Sequence, residues 1–249
     1  MSLDTIGLRP TERTALSPLD PRTRADAGAA SLGGLAHVDR ELAARVARLS
    51  VSVVLPRAAA WRAAATRDAA LLAVEEGFLV ASAAVAGPNV SGLLARRVVL
   101  STARPGMVLT PPGPREWLEA VTPARFTAIS ARSLKLLLGH AGAAELIAET
   151  LVEAVRERET TIRNCSYVRH VERVREKLLQ LGRVHGRAVP GGVRIDFPLT
   201  HQLLADMVGS ARETVSLALA DLARDGFVHR QNRRYLIHID APDLLDEAC

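Results

Sequence analysis

Three side chains within five residues, Arg212, Glu213 and Ser216, are of the types that bond nucleic-acid base edges. An arginine fork donates to guanine O6 and N7, a glutamate accepts from cytosine N4, and a serine does either, each good contact discriminating bases by roughly 1–3 kcal/mol. At helical spacing, positions 212, 213, 216, 217 and 220 share one face, opposite an apolar stripe of Val215, Leu219 and Leu222. Arg230, Arg233 and Arg234 follow in a short polar turn, and Thr200 and Thr214 add hydroxyls; these types contact phosphates. Two plainer roles stay open. Ser210 followed three residues later by Glu213 also spells a capping box, and three arginines also suit a solvated hairpin.

Such residues work only if the chain holds them rigidly, and the surrounding pattern supplies the frame. Thr200 can cap a helix over 201–208 that turns Leu203, Leu204, Met207 and Val208 inward. Gly209 permits the left-handed backbone of a tight turn, Ser210 opens a second helix, and Gly226 stops it. Phe227-Val228 and Tyr235-Leu236-Ile237 are short strands around Gln231-Asn232. Helix, glycine turn, helix and hairpin make a winged helix-turn-helix.

Upstream the pattern changes twice. Residues 1–34, rich in Pro and Gly, form a flexible tail, and Leu35, Val38, Leu42, Val46 and Leu49 mark a short amphipathic helix. Apolar runs at Val51–Leu55, Leu71–Val74, Phe78–Val85, Arg97–Ser101, Met107–Thr110 and Arg125–Ser130 are cut by turn signals such as Gly87-Pro88-Asn89. Their spacing predicts an all-β sandwich, barrel or roll. Ala58–Ala70 fits helix and strand alike. From Gly142 the period is helical: a long helix over about 143–163 carries Ile147, Leu151, Ala154, Val155 and Ile162 on a narrow stripe. That stripe needs a cover, either its own β-domain or a second copy. Asn164-Cys165-Ser166 is a hinge, a second helix runs from Tyr167 to Leu181 with Val168, Val171, Val174, Leu178 and Leu181 inward, and Val193–Phe197 is a strand. The fold class is α+β. The domains are 1–34 tail, 35–141 β-domain, 142–165 dimerisation helix and hinge, 166–240 winged helix, and 241–249 tail.

The chain has 249 residues, 48% hydrophobic, and a net charge of +5. Only two of its 32 basic residues, Lys135 and Lys177, are lysine; the arginine excess suits phosphate and guanine, and a GC-rich coding composition produces the same excess. No signal peptide or membrane-spanning stretch occurs, so a cytoplasmic protein is expected.

The stretch GSARETVSLALADLARDGFV, Gly209 to Val228, resembles the recognition-helix region of the Crp/Fnr transcription regulators. The resemblance covers about 35–240 and is specific in the last forty residues. It implies a β-roll effector domain, a dimerising helix and a C-terminal winged helix, hence a homodimer on a palindromic double-stranded site, with RNA polymerase as a further partner. Arg212 and Glu213 match the family's R-E pair and Ser216 its following serine. Leu217 stands where a second arginine is usual and offers apolar contact to a thymine methyl, so the half-site should be related to, but not identical with, the family's TGTGA type.

The resemblance also frames the effector question. Gly106 matches a family turn glycine, but the ribose-binding glutamate is missing and prolines fill the gap. The phosphate-binding Arg-Ser pair falls on Pro114-Arg115, so cyclic AMP is not expected and the effector, if any, is unknown. Gly106 and Arg115 remain as a possible effector pocket. Cys165 and Cys249 fall short of an iron–sulfur ligand set. His37 and His140 read as surface or capping histidines and not haem ligands, and no metal site is read. An enzyme is disfavoured: no phosphate loop, metal-spaced cluster or nucleophile elbow occurs, and His201 has no Ser or Asp partner the sequence identifies. The competing reading is a ligand-binding or polymerase-interacting module whose winged helix docks a protein.

Overall fold

The computed structural model describes residues 39–62, 68–86, 95–164, 167, 169–231 and 234–238. Both expected tails, Leu35, His37, Val38, the Gly87-Pro88-Asn89 turn, Cys165, Ser166, Val168, Asn232, Arg233 and Cys249 lie outside them. The chain divides into two compact units between Arg156 and Glu157.

The first unit opens with α1 (Arg40–Arg48), capped by Asp39, whose carboxylate accepts from the Glu41 and Leu42 amides at 2.9 Å. Leu49 was expected to face inward but is exposed. The helix stops at Arg48, and the Leu49 amide turns back onto the Val46 carbonyl. Eight strands follow: β1 (Val51–Leu55), β2 (Ala60–Trp61), β3 (Ala69–Glu76), β4 (Leu79–Ala86), β5 (Ala95–Ala103), β6 (Val108–Leu109), β7 (Glu116–Ala120) and β8 (Ala124–Ser130). They form two antiparallel sheets, β1-β8-β3-β6 and β2-β7-β4-β5. The sequence signal missed β2 and β7, and Ala60–Trp61 resolves part of the ambiguous alanine stretch as strand. Between the sheets Leu72, Val74 and Phe126 meet Leu79, Leu118 and Trp61, with the Trp61 and Phe126 rings edge-on at 5.2 Å. Gly77, at φ +80°, makes the β3–β4 turn; a Cβ there would stand 2.1 Å from the Pro123 carbonyl oxygen.

Period-two alternation sends Leu71, Ala73 and Ile129 to the opposite face of the first sheet, where helices cover them. One is α2 (Ala131–Leu138), unforeseen in the strand-like run and capped by Ser130, whose hydroxyl accepts from the Ser133 amide. The next is α3 (Ala141–Asn164), 24 residues long. His140 caps it, accepting from the Ala143 amide, and pairs with Asp39 at 3.4 Å; the capping role read from sequence is the one the structure gives it.

The stripe of α3 needs correction. Ile147 is buried with Ala143 against Leu71, Ala73 and Ile129, and half-buried Leu151 packs on the same cluster, so both cover the chain's own sheet. Ala154 is half-buried, whereas Val155 and Ile162 are 54% and 71% exposed. Val152, absent from the expected set, is exposed with them. Residues 152, 155 and 162 follow the three-then-seven spacing of a heptad seam.

In the second unit the end of α3 is tied to α4 (His170–His185) by buried Lys177, which donates to Gln180 Oε1 at 2.9 Å and Thr161 Oγ1 at 3.4 Å. The helix starts and ends later than expected, but Val174, Leu178 and Leu181 are buried as read. An unforeseen strand β9 (Gly186–Val189) pairs with β10 (Gly192–Ile195), and this hairpin extends the wing to four strands, with β11 (Val228–Gln231) and β12 (Arg234–Ile237), in the order β11-β12-β10-β9.

Candidate nucleic-acid interface

Helices α5 (His201–Val208) and α6 (Arg212–Arg224) form the helix-turn-helix within the second unit. Thr200 caps α5, accepting from the Leu203 amide at 3.0 Å, and Leu203, Leu204, Met207 and Val208 are buried as expected. Gly209 is left-handed, φ +65° and ψ +35°. Its neighbour departs from the expected capping box. Ser210 is buried with Oγ 2.7 Å from His170 Nδ1 on α4, so its hydroxyl is turned away from the helix it was to open. Ala211 stands at the cap position and no side chain caps α6.

That displacement bears on Glu213. Freed from capping, it is exposed on the first turn of α6 beside exposed Arg212, and neither side chain has a partner among the described residues. A carboxylate there also suits the positive end of the helix dipole. Val215, Ala218, Leu219 and Leu222 face the core, so the outward face is the one expected: 212, 213, 217 and 220 are exposed, and Leu217 is 70% exposed. Thr214 and Ser216 are half-buried.

Ser216 is more tightly held than its expected base-contacting role requires. Its hydroxyl donates to the Arg212 carbonyl at 2.9 Å and lies 2.7 Å from His201 Nδ1. The serine partner the sequence did not disclose for His201 is therefore Ser216, reached across the turn. His201 Nε2 lies 3.2 Å from a guanidinium nitrogen of Arg230 on β11. Burial, then the charges of Arg230 and Arg212, push the imidazole below its usual range. Among the described residues it is Arg230, and not a carboxylate, that stands at the outer ring nitrogen of His201.

The wing arginines divide. Arg230 lies over the Tyr235 ring at 5.7 Å; the Tyr235 hydroxyl is buried without a hydrogen-bond partner among the described residues, and burial raises its pKa against the lowering effect of Arg230. Arg234 pairs with Asp196 at 3.1 Å, which offsets part of its charge because Arg194 shares the same carboxylate oxygen at 3.5 Å, and Arg233 lies outside the described residues. Gly106 sits in the β5–β6 turn, its amide bonded to Val74 of the first sheet, whereas Arg115 is exposed ahead of β7 in the second. Among the described residues no helix is long and apolar enough to cross a membrane.

A family profile describing the Crp-like helix-turn-helix domain matches residues 172–248. The chain is 31% identical over 93 residues to a CRP-like cAMP-activated global transcriptional regulator of Mycobacterium tuberculosis, covering 37% of this chain and 42% of that protein. It is 33% identical over 119 residues to the transcriptional activator FnrL of Cereibacter sphaeroides, covering 48% and 39%. The matches thus span less than half the length of these relatives. Among solved structures, a CooA variant of Carboxydothermus hydrogenoformans superposes over 88% of this chain and 96% of its own, with a TM-score of 0.67 and 18% identity. A CRP-family regulator of Thermus thermophilus covers 79% and 96%, with a TM-score of 0.58 and 22% identity. At those identities the structures establish the fold. The C-terminal unit thus carries a Crp-like helix-turn-helix domain, and the chain shares the fold of these solved structures over most of its length.

Proposed function

We propose that this protein is a sequence-specific transcription regulator that binds double-stranded DNA as a homodimer on a palindromic site. The observation that carries the reading is the exposed first turn of α6, where Arg212 and Glu213 stand without partners among the described residues. A helix-turn-helix presents that turn to the major groove, where these two types bond guanine and cytosine. Leu217 supplies apolar contact to a thymine methyl. Ser216 contributes through its hold on the helix, and reaches a base only by giving up its bonds to His201 and the Arg212 carbonyl.

Thr200, Thr214, Arg230 and Arg233 position the backbone, with Arg234 weakened by Asp196. The dimer seam is Val152, Val155 and Ile162, three large apolar side chains left exposed on one run of α3. Parallel pairing there would set two reading helices about one DNA turn, ~34 Å, apart. RNA polymerase is the further partner of such a regulator, and its place is the cytoplasm.

The test compares a duplex carrying a TGTGA-type palindrome with a scrambled one over a series of salt concentrations. Binding should favour the palindrome and weaken steeply with salt. Equal affinity for both, and for every sequence in a wider set, overturns the reading.

A further inference from the structure

One imidazole touches both elements of the proposed interface. His201 Nδ1 lies 2.7 Å from Ser216 Oγ on α6, and Nε2 lies 3.2 Å from Arg230 Nη1 on β11. The donor inventory fixes the proton. Arginine only donates, so Nε2 accepts and carries no hydrogen. Nδ1 therefore holds the ring hydrogen and donates it to Ser216 Oγ, whose hydroxyl in turn donates to the Arg212 carbonyl at 2.9 Å. The bonds run one way, from the wing guanidinium to the first turn of the reading helix.

The surroundings keep this arrangement. The imidazole faces Arg212 and Ser216 from α6, Arg230 from β11 and Tyr235 from β12. Among the described residues, no carboxylate lines the open cleft of about 230 Å³ between these elements. Partial burial and then two nearby cations oppose an imidazolium, which would lose the Arg230 bond and repel that side chain. Arg230 also has the Tyr235 ring beneath it. It is thus held by neutral partners with its charge intact, in contrast to Arg234, whose partner is Asp196.

We propose that His201 is a positioning residue for DNA binding, fixing Arg230 relative to the reading helix so that the wing's phosphate contact and the base contact of Arg212 are made together. A side chain already held in place loses less freedom on meeting its phosphate. The proposal rests on the DNA-binding reading above.

The test is a double-mutant cycle on the full chain, with affinities for a random-sequence duplex pool measured across salt concentrations. Arg230→Ala should weaken all duplexes roughly fivefold and flatten the salt slope by about 0.9. His201→Ala should do nearly the same although it removes no charge, and the double variant should bind no worse than Arg230→Ala alone. His201→Gln, whose side-chain carbonyl still accepts from Arg230, should stay within about twofold of the natural protein. Melting curves separate loss of fold from loss of the clamp, and Ser216→Ala with Arg230→Ala repeats the cycle while leaving the imidazole in place. The proposal is overturned if His201→Ala binds like the natural protein. It is equally overturned if both cycles multiply, or if folded His201→Gln is as weak as His201→Ala. If the natural protein binds no duplex, it is the DNA-binding reading that fails.

Discussion

The two units of this chain bury polar groups in opposite ways. In the β-roll, Glu75 accepts from the Thr127 hydroxyl on the helix-covered side of the sheet, and burial raises its pKa despite that bond and Arg125. In the winged helix, burial acts on a base, and His201 is pushed down with two arginines adding to the effect. The same loss of water thus favours a protonated acid in one unit and an unprotonated base in the other. What differs is the use. Glu75 belongs to the sheet-and-helix layer, whereas His201 joins the surface that faces outward.

The separation of the two units is probed most forcefully through the core of the roll. Phe126→Ala, which empties a site fully buried against Trp61, should cost about 3–5 kcal/mol. Amide exchange should show that loss in the strands of the first unit while α4, α5 and α6 keep their protection. Equal loss in both would mean the division at Arg156 and Glu157 is not a division of stability.

Next in size, Arg212→Ala should remove roughly 1–3 kcal/mol of preference at one G·C pair and leave affinity for random duplex nearly unchanged. A uniform loss across sequences would make Arg212 a phosphate contact. Smaller again is Gly209→Ala. A Cβ there meets nothing within 4 Å, so only the left-handed backbone is penalised, by ~1–2 kcal/mol, readable as a lowered melting point of the winged helix.

The smallest effects are those of pH, and their signs oppose. His201 has a folded value below its ordinary 6.5, so the unfolded state binds more protons there and the winged helix loses stability as pH falls below that point. Glu75 has a folded value above its ordinary 4.5, so the folded roll holds the extra proton and loses stability as pH rises through that range. Thermal melts of the two units against pH should show the opposed trends, and His201→Gln and Glu75→Gln should each flatten one.

What could be read from the sequence depends on how local each signal is. Thr200, Gly209 and the stripe Val215, Leu219, Leu222 act within a turn or two of chain, and α5 lies over the very residues expected, 201–208. Ser210 and Glu213 carried the right pattern for a box that the fold did not build, because His170, forty residues away, took the serine. Strand β2, two residues long, and β7, which begins on Glu116 and carries Glu119 near its end, depend on each other's pairing and show little alternation of their own. In α3 the sequence displayed one apolar stripe where the structure has two. Ile147 and Leu151 go to the sheet, and Val152, Val155 and Ile162 are left outside. The His201–Ser216–Arg230 chain was hidden for the same reason as β7: it exists only once α5, α6 and the wing are folded together. Its one sequence trace is a histidine directly after a helix cap.

The decisive question is whether the first turn of α6 discriminates base edges. It is answered by selecting bound duplexes from a random pool, once with the purified natural protein and once with Arg212→Ala. The natural protein should enrich a palindrome whose half-sites lie one DNA turn apart, and the substitution should relax one G·C pair in each half-site. An unenriched pool, or the same palindrome selected unchanged by Arg212→Ala, would refute base reading by this turn.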